Sequence, residues 1–141
     1  MNSSKAARSV SRQQKVGDAL RQDTRNRLLE AAAAEFPVHG YAATTVTRLA
    51  AAAGVSVQTL YLAWGSKRAL LRAYMERAIA GDVAFGALTE GLSLAKAIDT
   101  AWVIASPESY DLLVRRLGYT LAEFRVWIEN TLSAAILASS K

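Results

Sequence analysis

The chain contains no cysteine, which excludes disulfides and thiolate metal sites. It has one histidine, His39, set among mostly apolar or basic neighbours, too few donors for a zinc site. No apolar run approaches the roughly 20 residues of a membrane-spanning helix, and no membrane partner is expected. The basic N-terminus is not followed by an uninterrupted apolar segment, so it does not read as a secretory signal. A cytoplasmic location is the expectation. No Ser/His/Asp set, carboxylate pair or phosphate-binding loop stands out. The chain is therefore expected not to be an enzyme and to need no cofactor and no metal. His39, between Pro37 and Gly40, reads as a helix-dipole partner or surface group rather than a catalyst.

What is present is a chain of 141 residues, 52% hydrophobic and 21% charged, a composition that folds as one compact domain or two small ones. The net charge of +5 is unevenly placed. Residues 1–80 hold 12 Lys/Arg against 5 Asp/Glu, a net of +7, and residues 81–141 hold 5 against 7, a net of −2. A basic half beside a mildly acidic one points to a polyanion at one end, although solvated charged helices give the same balance.

Helix signals recur along the chain and no strand of usable length does. Residues 1–22, with Lys5, Arg8, Arg12, Lys15 and Arg21, read as a basic flexible tail. Such a tail can lie along phosphates, or it can be a solubilising or artificially added extension. Asp23 or Thr24 can cap a helix through Phe36, with Leu28, Leu29, Ala32 and Phe36 on one face. Pro37 is expected to end or distort it, with Gly40 taking a left-handed conformation. Thr44 or Thr45 caps a second helix to about Ala53, Ser56 caps a third over Val57 to Trp64, and Ser66 caps a fourth over Lys67 to Ala80. Gly54, Gly65 and Gly81 break the three in turn. Residues 82–92 read as a linker. Ser93 caps a helix from Leu94 to Ala105, Ser106-Pro107-Glu108 starts another to Leu117, and the capping box Thr120/Glu123 starts the last, to about Ala138.

One constellation has functional content. A helix-turn-helix needs a small residue where its helices cross, a glycine in the turn, and an apolar plug between the helices. Ala50, Gly54 and Leu60 supply these, and Leu49 and Val55 complete the small core. The same triplet also fits an ordinary helical hairpin with a glycine turn. The wider string carries more: Gly40-Tyr41, Thr44-Thr45-Val46, Leu49-Ala50, Ala53-Gly54-Val55-Ser56, Thr59-Leu60-Tyr61 and Ser66-Lys67-Arg68-Ala69-Leu70. Over Thr24 to Ala80 this resembles the DNA-binding domain of the TetR family of transcriptional regulators.

That resemblance implies an all-α fold. A three-helix, homeodomain-like helix-turn-helix domain at 23–66 would be followed by a connecting helix at 67–81. After the linker at 82–92, a truncated helical dimerisation and regulatory segment would fill 93–141. It implies a homodimeric repressor on a palindromic double-stranded DNA operator. Carried over by position, Val57, Gln58 and Thr59 open the recognition helix after Ser56 and point at base edges. Gln58 can pair bidentately with adenine, worth ~1–3 kcal/mol of discrimination. Val57 and the Thr59 methyl suit a thymine methyl. Tyr61 offers its hydroxyl to a phosphate, Thr45 and Thr47 meet phosphates or the groove edge, and Lys67 adds a cation at a helix N-terminus. Ala63 occupies a contact position with too little side chain to read a base. Trp64 reads as core packing.

Residues Gly86-Ala87-Leu88, Gly91-Leu92-Ser93, Asp99-Thr100-Ala101-Trp102, Ser106-Pro107-Glu108 and Tyr110-Asp111-Leu112-Leu113 resemble the final helices of a branch of that family. The helices that lie between in the family, and that form most of its inducer cavity, have no counterpart here. This fits an internal deletion, an incomplete sequence or a minimal member. The last helix places Leu121, Phe124, Ile128, Leu132 and Ile136 close to one face, widened by Trp127 and Ala135. So wide a stripe calls for a partner copy. Trp102, Tyr110, Phe124, Trp127, Ile128 and Leu132 are the candidate ligand or dimer contacts, with a small-molecule inducer not favoured. Two other readings compete. One is a truncated protein that dimerises with full-length relatives and modulates them without strong DNA binding. The other is a sensor with its pocket rebuilt at the dimer interface.

Overall fold

A computed structural model describes residues 2–83 and 88–138. The order is α1 (Asn2–Ala43), α2 (Val46–Ala53), α3 (Val57–Trp64), α4 (Lys67–Val83), α5 (Leu94–Ala105), α6 (Pro107–Tyr110), a π-helical turn (Asp111–Arg116) and α7 (Leu121–Ile136). The fold is all-α: among the described residues the only β-type pairing is one antiparallel bridge, Leu88 with Leu137. The chain divides into two compact units, Met1–Leu71 and Arg72–Lys141, and the division falls inside α4 rather than at a linker. The expected linker at 82–92 lies partly outside the described residues. Its described end is tied down, because the Thr89 amide donates to the Ile136 carbonyl (3.0 Å) and the Thr89 hydroxyl to the Leu137 carbonyl (3.0 Å).

The first unit corrects one expectation and narrows another. Residues 2–22 are not a flexible tail but the start of α1. The segment Asp23 to Phe36 packs through Leu28, Ala31, Ala32 and Phe36. Once that helix exists, each further residue extends it without a new nucleus, and Ala, Arg, Gln and Lys, which fill much of residues 5–15, favour extension. Nor does Pro37 end the helix. The ring removes one amide bond, and the chain turns later, at Gly40 (φ 76°, ψ 169°), outside both the helical and the left-handed helical regions. Buried Thr44 donates its hydroxyl to the Gly40 carbonyl (2.7 Å), the Glu35 carboxylate takes His39 (3.2 Å) and Arg48, and Phe36 stacks on Tyr41 at 6.0 Å. These contacts span Pro37 and hold the last turn together. Leu49, Ala50, Ala53, Leu60, Leu70 and Leu71 complete the core.

In the second unit α5 buries Ala97, Ala101 and Ile104, one helical face, where it packs on α7. Ser93, Ser106 and Thr120 cap α5, α6 and α7, the last with the full capping box to Glu123. The helix expected over Pro107–Leu117 is α-helical only to Tyr110. It then widens into the π turn, which closes with the Leu117 amide on the Leu112 carbonyl (3.0 Å). Two boundaries also shift: α4 runs past Gly81 to Val83, and α7 stops at Ile136. The apolar stripe of α7 is partly covered by this chain itself. Phe124 and Ile136 are buried, Trp127, Ile128 and Leu132 half-buried, and Leu121 and Ala135 exposed. Phe124 meets Tyr110 edge-on at 5.4 Å and stacks on Trp127 at 6.1 Å. Phe124→Ala is expected to remove about 3–5 kcal/mol from the unfolding free energy of this unit. Urea denaturation followed by tryptophan fluorescence reads the change, and an unaltered midpoint would contradict this packing.

Candidate nucleic-acid interface

The candidate site is α2, its turn and α3. Thr45 caps α2, its hydroxyl oxygen accepting the Arg48 amide at 3.0 Å. Thr47 stands exposed two positions on. Gly54 ends α2 in the left-handed conformation (φ 71°, ψ 31°), and the next amide, Val55, donates back to the Ala50 carbonyl at 2.9 Å. A side chain at Gly54 would be strained by that φ, and its Cβ would lie 2.7 Å from the Arg27 guanidinium. Ser56 then caps α3: its Oγ accepts the Thr59 amide (3.0 Å) and bonds the Thr59 hydroxyl (2.8 Å). Leu60 is fully buried where α3 packs on α1 and α2, together with Leu49 and Ala50. Val55 is half-buried beside them.

With Leu60 turned inward, the opposite side of α3 must face out. Gln58, Tyr61 and Leu62, related by three and four positions, share that outer face. Tyr61 is 47% and Leu62 81% exposed. Val57 and Thr59 are half-buried, and the Thr59 hydroxyl is engaged with the cap. Leu62 escaped the sequence reading, although the signal was present: two positions from a buried plug lies about 200° around a helix.

Three basic side chains brace the motif from within. Arg25 of α1 donates to the Ala63 carbonyl, and its guanidinium lies 3.8 Å from the Trp64 ring centre. Arg27 reaches the Gly54 carbonyl at 3.5 Å. Lys67 donates from Nζ to the Tyr41 carbonyl at 2.7 Å and lies 4.0 Å from the Tyr41 ring centre. Partial burial pushes the Lys67 ammonium below its ordinary value. Trp64 is half-buried, and its indole Nε1 is buried without a hydrogen-bond partner. The sequence reading placed Trp64 in the core but gave no role to Arg25 or Arg27, whose partners lie 38 and 27 positions away.

The six candidate ligand or dimer residues lie on α5, α6 and α7. Arg72 sits 5.5 Å from the Trp102 ring centre while bonding Asp99 at 2.8 Å, and those carboxylate contacts raise its pKa above the ordinary value. Tyr110, Phe124 and Trp127 pack on one another. An open hollow of about 390 Å3 is lined by Pro107, Glu108, Asp111, Leu112 and Arg116, none of the six. Among the described residues no helix is long and apolar enough to cross a membrane.

A plugged two-helix motif with a left-handed glycine turn and an outward second helix defines a helix-turn-helix of the DNA-binding class. Residues 28–74 match the family model of bacterial regulatory proteins of the tetR family. This part of the chain is therefore similar to the helix-turn-helix domain of that family, a DNA-binding module. Comparison with curated proteins and with solved structures gives no match. Ser56→Ala should weaken this domain by about 1 kcal/mol, since the Thr59 amide loses its cap. Thermal unfolding of the variant against the parent reads that loss, and equal stability would show that the cap is not needed.

Proposed function

We propose that the chain is a homodimeric, sequence-specific repressor that reads a palindromic operator with α3 in the major groove. The observation that carries this reading is the outer face of α3: Gln58, Tyr61 and Leu62 exposed on a helix whose other side is fixed by buried Leu60. Gln58 suits an adenine edge, and Leu62 an apolar contact with a thymine methyl, as does Val57 at the first turn. Tyr61, Thr45 and Thr47 are the proposed phosphate or groove-edge contacts. Ser56 and Thr59 act chiefly by shaping the first turn of α3. Lys67 has two N–H protons beyond the one given to Tyr41, so a phosphate contact there is shared with a bracing role.

Two half-sites on one face of DNA require two copies of α3 about 34–36 Å apart. The proposed dimer surface is in the second unit, where Leu112, Leu117, Leu121 and Val126 remain exposed beside the half-buried Trp127, Ile128 and Leu132. The sign of regulation, repression, is taken from the resemblance.

Selection from a random duplex pool by the purified chain, followed by sequencing, is expected to enrich a palindrome. Gln58→Ala should then relax the preference at one base pair per half-site, by ~1–3 kcal/mol, and leave the others unchanged. Failure to enrich any sequence would overturn the reading and favour a modulator that acts by pairing with relatives.

A further inference from the structure

We infer that the N-terminal part of α1 is a preformed helical surface for the DNA backbone, presented by Lys5, Arg8, Arg12 and Lys15. The inference rests on the DNA-binding reading above. Its basis is the juxtaposition that the helix creates. The four cations are spaced three, four and three residues apart, so they form one stripe along the helix, about 15 Å from first to last. All four are exposed, and no Asp or Glu occurs before Asp18. Among the described residues none of the four has an internal hydrogen-bond or ion-pair partner.

The rest of the first unit is different. Arg21 pairs with Asp18, Arg25 with the Ala63 carbonyl, Arg27 with Asp23 and the Gly54 carbonyl, Arg48 with Glu35, and Lys67 with Tyr41. Arg68 also has an internal interaction. The cations nearest the reading motif are thus engaged in holding it. The surplus positive charge of the unit is concentrated in the stripe.

A polyanion with closely spaced charges is the complementary occupant. Duplex DNA offers one phosphate per roughly 1.7 Å of axis, so a 15 Å stripe faces several. No apolar row accompanies the stripe: exposed Val10 lies on the opposite side of the helix from the cations, and exposed Val16 and Leu20, which share a face, come after the last of them. That argues for phosphates rather than for a protein groove or the interior of a lipid surface. These contacts carry no sequence information; they add affinity and salt dependence.

The test compares the full chain with a variant carrying Lys5→Gln, Arg8→Gln, Arg12→Gln and Lys15→Gln. Binding is measured against salt on the selected operator and on a random duplex. At roughly 0.9 per phosphate contact, the slope of log affinity against log salt should become shallower by about 3 to 4 for each bound chain, with base preference unchanged. A second variant exchanges Arg8 with Ala6 and Arg12 with Gln14, keeping the charge but spreading the four cations around the helix, and should lose part of the same slope. An unchanged slope in the first variant, while the parent still selects its operator, overturns the stripe and leaves the reading motif standing. A full slope in the second overturns the helical face and leaves only charge. A parent chain that binds no duplex removes both readings. Binding to phosphatidylserine vesicles that the first variant loses would then identify an anionic membrane as the occupant and overturn the proposal.

Discussion

The burial of Leu60 is the constraint on which the reading motif depends. An eight-residue helix such as α3 is not stable alone, because nucleating a turn fixes several residues for one hydrogen bond. Burying one leucine contributes about 1.5–3 kcal/mol, and α3 has no other fully buried side chain. For Leu60 to seat, α2 must be small at the crossing, which Ala50 satisfies. The turn must also reverse tightly, which Gly54 achieves at a φ that other residues adopt only with strain. The same seating fixes the rotation of α3, and so decides that Gln58, Tyr61 and Leu62 face away from the core.

One plug fixes position but not angle, and the contacts from α1 supply the second point of attachment. At the far end of α3 three terms compete. The guanidinium of Arg25 over the Trp64 ring contributes roughly 0.5–2 kcal/mol. The buried, unpartnered indole N–H costs about 1–3 kcal/mol. These nearly cancel, so the hydrogen bond from charged Arg25 to the Ala63 carbonyl, of the class contributing roughly 1.5–3 kcal/mol, decides the balance in favour of attachment. A cation at a helix C-terminus also suits the dipole. Arg25 therefore ties the end of α3, and Arg27 the turn, to the same rigid helix.

The helix-turn-helix was legible because its determinants are local. The caps Thr45 and Ser56, the glycine at 54 and the plug at 60 lie within sixteen positions, and each acts through its own turn of chain. Pro37 left two outcomes open, an end or a distortion, because its own effect is local, one missing amide bond, while what holds the turn beyond it is not: Arg48 reaches back to Glu35 from another helix. Residues 2–22 misled for the opposite reason. They bury nothing, so no apolar pattern reports the helix; it is inherited from the packed segment after Asp23. In the second unit the start signals at Ser93, Ser106 and Thr120 were readable. The π turn at Asp111–Arg116 and the bridge from Leu88 to Leu137 were not, since both are set by packing across sequence distance.

The charge of the first unit is also not what its total suggests. Six of its cations, from Arg21 to Arg68, have partners within the molecule, several of them in exposed ion pairs, so a count of basic residues overstates the unpaired charge offered to a polyanion. The four that remain sit on a helix they do not stabilise. Like charges three and four positions apart destabilise a helix by a few tenths of a kcal/mol per pair, and no buried face offsets this before Leu28. Neutralisation by phosphates removes that repulsion and leaves the helical propensity of the segment unopposed. Helix formation and backbone contact therefore favour one another. Because the stripe is already aligned on the helix, contact with a polyanion would cost less conformational entropy than a disordered arm would lose.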